Sequence, residues 1–300
     1  GTGTGIGMLI PTWPISIKFW KVRAVAPLWV KSPTPLPGDW GNVILNGENN
    51  ILSYLDYEYA TDGFTGSGAN GSTFDNINIP GTLALDANAV YLENSINMIF
   101  TNNTIAVTGD YGIYSNVSSG SVIENNTISG SSQAAFKFQE CHDCIFNYNN
   151  ISDSYRGIWA EYSDNLTISN NSITSVEDAL LIMNGDSYYV YSNTIIDFHE
   201  NAIRFECSPN TIIESNNIIS AYDGGYKTGV TNNCDNQFSV IQNNDILVQI
   251  DNMDSDTAYG IIAHDSNIDN NTLYISIFQQ LYRSHEDQII GIYSNRSNVT

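Results

Sequence analysis

Along most of the chain, apolar and polar positions alternate in short runs, and the runs recur. Each begins with a small residue, then an inward position, an outward one and a second inward one. Examples are Ala89-Val90-Tyr91-Leu92, Gly112-Ile113-Tyr114-Ser115, Ala135-Phe136-Lys137-Phe138, Gly157-Ile158-Trp159-Ala160 and Ala202-Ile203-Arg204-Phe205, with further copies at Ala179, Gly229, Gly260 and Gly291. Period-two alternation predicts short strands with one buried face. A second mark follows each run by 10 to 14 residues: two asparagines, any residue, then an aliphatic one. It falls at Asn102-Asn103-Thr104-Ile105, Asn125-Asn126-Thr127-Ile128, Asn170-Asn171-Ser172-Ile173, Asn216-Asn217-Ile218-Ile219, Asn243-Asn244-Asp245-Ile246 and Asn270-Asn271-Thr272-Leu273. Looser copies stand at Asn149-Asn150, Ser192-Asn193, Asp75-Asn76 and Asn49-Asn50, and successive spacings run from 21 to 27 residues.

A period this short has no room for a strand, a crossover helix and a second strand, so each period is one coil of a solenoid. A single coil cannot bury its apolar face, but stacked coils share a core and pair their strands in parallel at about 4.8 Å. Asn suits the bend because it tolerates the left-handed backbone, and stacked amides can bond from coil to coil. The expected architecture is all-β, a single-stranded parallel β-helix of about ten coils over residues 41–300, preceded by an extended arm over residues 1–40.

These repeats resemble the pectin-lyase-like superfamily, in particular the right-handed parallel β-helix repeats of NosD-like and carbohydrate-binding proteins, over roughly residues 42–300. The resemblance implies the right-handed fold. It does not imply one activity, since the same repeat serves lyases, hydrolases, adhesins and structural proteins. The sequence has no Asn-Thr-Asp, Asp-Asp or Gly-His-Gly set resembling polygalacturonases, and no basic cluster beside an Asp group resembling calcium-dependent pectate lyases.

Aligning coils on the small residue places outward side chains in two columns. The first is Tyr91, Tyr114, Lys137, Trp159, Leu181, Arg204, Thr231, Ile262 and Tyr293; the second is Glu93, Asn116, Gln139, Glu161, Met183, Glu206, Asn233, His264 and Asn295. If this face is catalytic, Glu161 and Glu206 are the carboxyl pair. They stand two coils, or about 9 to 10 Å, apart, at the upper end for an inverting glycosidase. Lys137 and Arg204 would then hold an acidic sugar, with Trp159 stacking on a ring. An adhesin would use Tyr91, Tyr114 and Trp159 without turnover. The simpler expectation is that these are solvated strand residues and that the chain has no catalytic set.

Only 14% of residues are charged, the net charge is -22 and Asn occupies 38 positions, so solubility rests on amides and an acidic surface that repels nucleic acid and anionic membranes. No apolar stretch is long enough for a membrane span. Asp251, Asp254 and Asp256 supply oxygen ligands of the type Ca²⁺ takes, without the Gly and terminal Glu of an EF-hand loop. The four histidines, His142, His199, His264 and His285, have no ligand spacing. Cys207 and Cys234 each precede an Asn-Asn turn by nine residues, which places them on neighbouring coils at disulfide distance. Cys141 and Cys144 either close a tight loop, exchange thiols or ligate metal, a structural bridge being favoured. Ten Asn-x-Ser/Thr sequons are candidate glycan acceptors, at Asn70, Asn102, Asn116, Asn125, Asn150, Asn165, Asn170, Asn270, Asn295 and Asn298.

Four of the ten basic residues, Lys18, Lys21, Arg23 and Lys31, lie in the first 38 positions, which contain no Asp or Glu. Residues 1–40 carry six of the eight prolines and four of the five tryptophans. Such an arm needs burial, either as a cap on its own first coil or by strand addition to another copy, with Ile15, Ile17, Phe19, Trp20 and Trp29 as contact residues. Head-to-tail contacts that do not close make a filament. The start at Gly1 without Met fits removal of a leader, and the sequence ends at Thr300 within a coil. Together these predict an extracellular structural subunit of a fibre or surface coat, a homopolymer with covalent glycans, and a carbohydrate-active enzyme or glycan-binding adhesin as the alternative.

Overall fold

The structure, a computed structural model, describes residues 7–9, 17–19, 28–31, 42–57, 63–80, 87–106, 109–220, 226–234, 238–252, 257–279, 288–295 and 298–300. The described residues form strands and turns and no helix. The chain divides into two compact units, Gly1–Tyr155 and Arg156–Thr300, each a stack of parallel rungs.

In the first unit each coil contributes three strands. The first sheet runs through Phe64–Ser67, Asn88–Glu93, Tyr111–Asn116 and Ala134–Gln139. The second runs through Ile99–Thr101, Val122–Glu124 and Ile145–Asn147, and the third through Thr104–Ala106 and Thr127–Ser129. Inward positions stack on their equivalents one coil away: Val90, Ile113 and Phe136 in the first sheet, Phe100, Ile123 and Phe146 in the second, Ile105 and Ile128 in the third, all at most 2% exposed. Phe74 and Phe100 stack at 4.8 Å, and Phe138 meets Phe146 edge to face at 4.8 Å. Burial of such rings and branched chains stabilises by roughly 1.5 to 3 kcal/mol each.

The second unit repeats the plan with inward stacks of Leu180, Ile203, Val230 and Ile261, of Ile168, Val190, Ile213 and Ile241, and of Ile173, Ile195, Ile218 and Ile246. The small residue that opens each run marks a close approach between coils. A Cβ on Gly229 would lie 2.6 Å from the carbonyl oxygen of Gly260.

The corner between second and third strands is built from two consecutive residues. The first adopts the left-handed conformation: Asn102, Asn125, Tyr148, Asn170, Ser192, Ser215, Asn243 and Asn270 have φ between 49 and 57°. The second turns inward and is an Asn in every one of these coils. In the first unit Asn103 donates its amide to Asn126 Oδ1 (2.8 Å), and Asn126 donates to Asn149 Oδ1 (3.0 Å). In the second unit the same ladder runs Asn171, Asn193, Asn216, Asn244 and Asn271, with steps of 2.9 to 3.0 Å. Each rung's Oδ1 also accepts the backbone N–H of the preceding rung, and Asn126 Nδ2 donates to the carbonyl of Phe100 (3.0 Å).

The ladder corrects the phase of four turns. The corner pairs are Ser215-Asn216 and Tyr148-Asn149, not Asn216-Asn217 and Asn149-Asn150, because the left-handed slot accepts Ser or Tyr as well as Asn. Asn76 fills the slot and Ile77 the ladder position, where its N–H bonds to Asn103 Oδ1 at 2.9 Å. Asn49-Asn50 belongs to a different corner, since Asn50 pairs with Ser72.

Of residues 1–40, three strands are described. Ile17–Phe19 pairs with Val43–Leu45, Leu28–Val30 with Leu55–Tyr57, and Gly7–Leu9 with Trp29–Lys31, all in parallel. Ile15 and Trp20, and the side chains of Ile17, Phe19 and Trp29, lie outside the described residues.

Replacing Asn126 by Ala removes two accepted and two donated bonds in a buried corner. At about 1 kcal/mol each, the loss is roughly 3 to 4 kcal/mol. Asn125→Ala is expected to cost only about 1 kcal/mol for the left-handed backbone, and Asn125→Gly close to nothing. Thermal unfolding of the three variants checks this order.

Candidate functional site

The first sheet presents its outward side chains in columns, as its pairing requires. In the first unit Tyr91, Tyr114 and Lys137 are in register, as are Glu93, Asn116 and Gln139. In the second, Leu181, Arg204, Thr231, Ile262 and Tyr293 follow one another, and Met183 pairs with Glu206 and His264 with Asn295. Not all of these residues reach solvent. Lys137 is 5% exposed, Leu181 4%, Thr231 3% and Ile262 8%, so the expectation of a uniformly solvated column fails. Thr231 shows one reason: its hydroxyl turns into the sheet face and donates to Asn201 Oδ1 at 3.2 Å.

The two carboxylates singled out by spacing stand two coils apart, with Met183 between them. Each is held by the side chain two residues before it. Trp159 Nε1 donates to Glu161 Oε1 at 2.9 Å, and Arg204 Nε donates to Glu206 Oε1 at 2.7 Å, with Asn233 Nδ2 adding a longer contact of 3.4 Å. Arg204 therefore arrives already neutralised.

A further polar column lies one residue before the small position and was missed because the alignment began after it. It contains Arg156, Asp178, Asn201 and Thr228. Asp178 is 2% exposed and is held by Arg156 Nε at 3.4 Å and by Asn201 Nδ2 at 2.8 Å. The Arg156 guanidinium also lies over the Trp159 ring, 4.6 Å from its centre. One chain of contacts thus runs from Trp159 through Arg156, Asp178 and Asn201 to Thr231. Beside it, His199 Nδ1 lies 3.5 Å from Glu177. Burial, the charges of Asp178 and Glu177 and a hydrogen bond with Glu177 push the Glu200 carboxyl above its ordinary value, against the pull of Arg204. The one sequence signal for this group is that the column stays polar through four successive coils.

Towards the end of the second unit the face becomes aromatic. Tyr226 and Tyr259 approach to 5.4 Å between ring centres, and His264 meets Tyr293 edge-on at 6.4 Å. In the first unit Tyr91 and Tyr114 meet at 5.2 Å, and the Tyr91 hydroxyl donates to Glu93. Burial, that bond and the Glu93 charge push the Tyr91 hydroxyl up to about 12. A hollow of about 170 Å³ lined by Ile212, Phe238 and Val240 lies on the second sheet and has no titratable group in its wall.

The four cysteines form two disulfides, Cys141–Cys144 and Cys207–Cys234. Cys207–Cys234 joins the chain just past the ends of the two strands Thr194–Glu206 and Tyr226–Asn232. Asp254, Asp256 and the side chain of Asp251 lie outside the described residues, as do His285 and the Asn295 side chain. Among the described residues no three metal-ligating side chains converge. Of the sequons, Asn102, Asn125, Asn150, Asn165, Asn270 and Asn298 are exposed, and Asn70, Asn116 and Asn170 are half-buried.

The family described as right-handed β-helix region matches residues 116–274. No curated protein matches the chain in sequence. Among solved structures, a point mutant of the periplasmic alginate epimerase AlgG has a TM-score of 0.51 at 13% identity, over 91% of this chain and 79% of that one. An alginate lyase from Paenibacillus sp. gives 0.51 at 10% identity, over 95% and 99%. The Dettilon tailspike protein gives 0.53 at 14% identity over 90% of this chain, which spans 61% of the tailspike. At these identities the likeness is one of fold.

Glu200 supplies a pH test. Unfolded, it ionises near the ordinary 4.5; folded, it keeps its proton to higher pH, so stability falls as pH rises between the two values. Glu200→Gln is expected to raise the unfolding temperature at pH 7 and leave it unchanged near pH 4.

Proposed function

The chain belongs to the family of right-handed β-helix regions, and on that footing we propose that it is a secreted glycan-binding protein whose ligand lies on the outward first-sheet face of the second unit. The observation that carries this reading is the combination on that face of an aromatic ring, fixed at both its plane and its edge, with a line of hydrogen-bonding groups. Trp159 lies under the Arg156 guanidinium and donates its indole N–H to Glu161, so its ring is fixed in one orientation, as an aromatic contact to a sugar requires. Arg204, Glu206 and Asn233 present donors and acceptors at successive coils, suited to ring hydroxyls.

Two disulfides favour an oxidising compartment, and the periplasmic epimerase among the structural neighbours agrees with export. Asn125 and Asn150, exposed at corners and strand starts, are the sequons we favour for covalent glycans. The fibre reading drew on the arm over residues 1–40. Its described strands find parallel partners within the same chain, which supports a cap on its own first coils over strand addition to another copy.

Polysaccharide cleavage is the second reading, favoured by one observation. A carboxyl whose proton affinity is raised by burial and by neighbouring carboxylates is the kind a general acid needs, and Glu200 is one.

The test is retardation of the full chain in gels containing soluble polysaccharides. At least one polysaccharide is expected to slow it, and Trp159→Ala to weaken that binding about tenfold, or roughly 1.4 kcal/mol. Filaments seen by electron microscopy together with no retardation would return the fibre reading. Turnover abolished by Glu200→Gln, with binding kept, would make the protein an enzyme.

A further inference from the structure

Resting on that reading, we infer that the ligand is an uncharged polysaccharide and not a polyuronate, and that Tyr226, Tyr259 and Tyr293 form an oblique stacking platform for it.

The described cations of the second unit are Arg156, Arg204 and Lys227. Arg156 is paired with Asp178 and Arg204 with Glu206, while Lys227 is fully buried with its ammonium on the Phe198 carbonyl at 3.3 Å. Around them on the same face stand Glu161, Glu177 and Glu200. The whole chain has 10 basic against 32 acidic residues. A polyuronate places one negative charge on every sugar, so each residue bound here would meet an anionic field with its cations already matched. An uncharged chain meets no such penalty, and the paired side chains still offer lone pairs and N–H groups to hydroxyls.

Tyr226 is 48% exposed and Tyr293 51%. They stand on alternate coils with Tyr259 on the coil between, as the pairings Thr228 with Tyr259 and Ile262 with Tyr293 require. Tyr226 and Tyr259 are 5.4 Å apart, and the Tyr259 hydroxyl is pushed above its ordinary value by burial and by Tyr226 and Tyr293, which places all three within electrostatic reach. Tyr259 stands two positions further along its strand than Tyr226, and Tyr293 three further than Tyr259, so the platform crosses the sheet obliquely. The 5.4 Å between the Tyr226 and Tyr259 ring centres is close to the advance of one pyranose residue in an extended chain. A tyrosine face suits the C–H face of a sugar while its hydroxyl stays at the wet edge.

The experiment is affinity electrophoresis of the full chain against neutral glucan, xylan, mannan and galactan and against polygalacturonate and alginate, at low and at physiological salt. Retardation by at least one neutral polymer and by neither polyuronate is expected. Tyr226→Ala should weaken it about tenfold, Tyr226→Trp should preserve it, and Tyr189→Ala on the second sheet should not alter it. Retardation by a polyuronate overturns the inference, as does neutral binding indifferent to both Tyr226→Ala and Tyr259→Ala in variants that melt like the parent. Retardation by none of the six removes the functional reading itself, and the inference falls with it.

Discussion

Every coil must turn a corner at which inward-pointing peptide groups leave one strand before the next begins, and those groups are buried. An unpaired buried N–H or C=O costs as much as the net gain from a hydrogen bond or more. The asparagine ladder meets that demand with one side chain per coil: its oxygen takes the N–H of the rung before it, and its amide takes a carbonyl and the next oxygen. Because the bond runs from coil to coil at about 3 Å, it also fixes how far one coil can slide on another. Register in the flanking strands follows, and with it the outward columns. A functional face on this molecule is a consequence of a corner on the far side of the core.

This dependence explains what was legible in the sequence. The inward stacks were readable because the side-chain period of a strand is two, so the small residue and the positions after it locate each coil. The corner was readable as to kind and misplaced as to phase. Tyr148 and Ser215 occupy the left-handed slot where Asn was expected, so counting pairs of asparagines slips by one wherever the slot is not Asn and a second Asn follows the inward one. The residue that matters is the inward one, and its invariance through eight coils becomes visible only when the ladder is seen.

The site was legible in part for a similar reason. Glu161, Glu206, Arg204 and Trp159 fall in the columns that alternation marks. Asp178, Arg156 and Asn201 fall in the column before the small residue, on the outward side of a position chosen for close approach. A carboxylate that is 2% exposed would be costly there if unmatched. Arg156 and Asn201, one coil to either side, match it. Alternation predicts that the position faces outward; it does not predict burial, which depends on the side chains of neighbouring coils.

The long coil of the second unit shows how such a stack absorbs extra residues. Ladder partners are 22 or 23 residues apart from Asn171 to Asn216, then 28 from Asn216 to Asn244. The bond across the longer step is 2.9 Å, as in the shorter ones. The additional residues therefore leave the corner bond unchanged. That is also the interval closed by Cys207–Cys234, whose Cα atoms are 5.1 Å apart, a normal step between rungs. A covalent link beside Glu206 and Asn233 keeps two strand ends in register at a step that has lengthened, from the 23 residues between Leu180 and Ile203 to the 27 between Ile203 and Val230. The bond thus protects the alignment of the face and adds little to the core, whose stacks run past it unchanged.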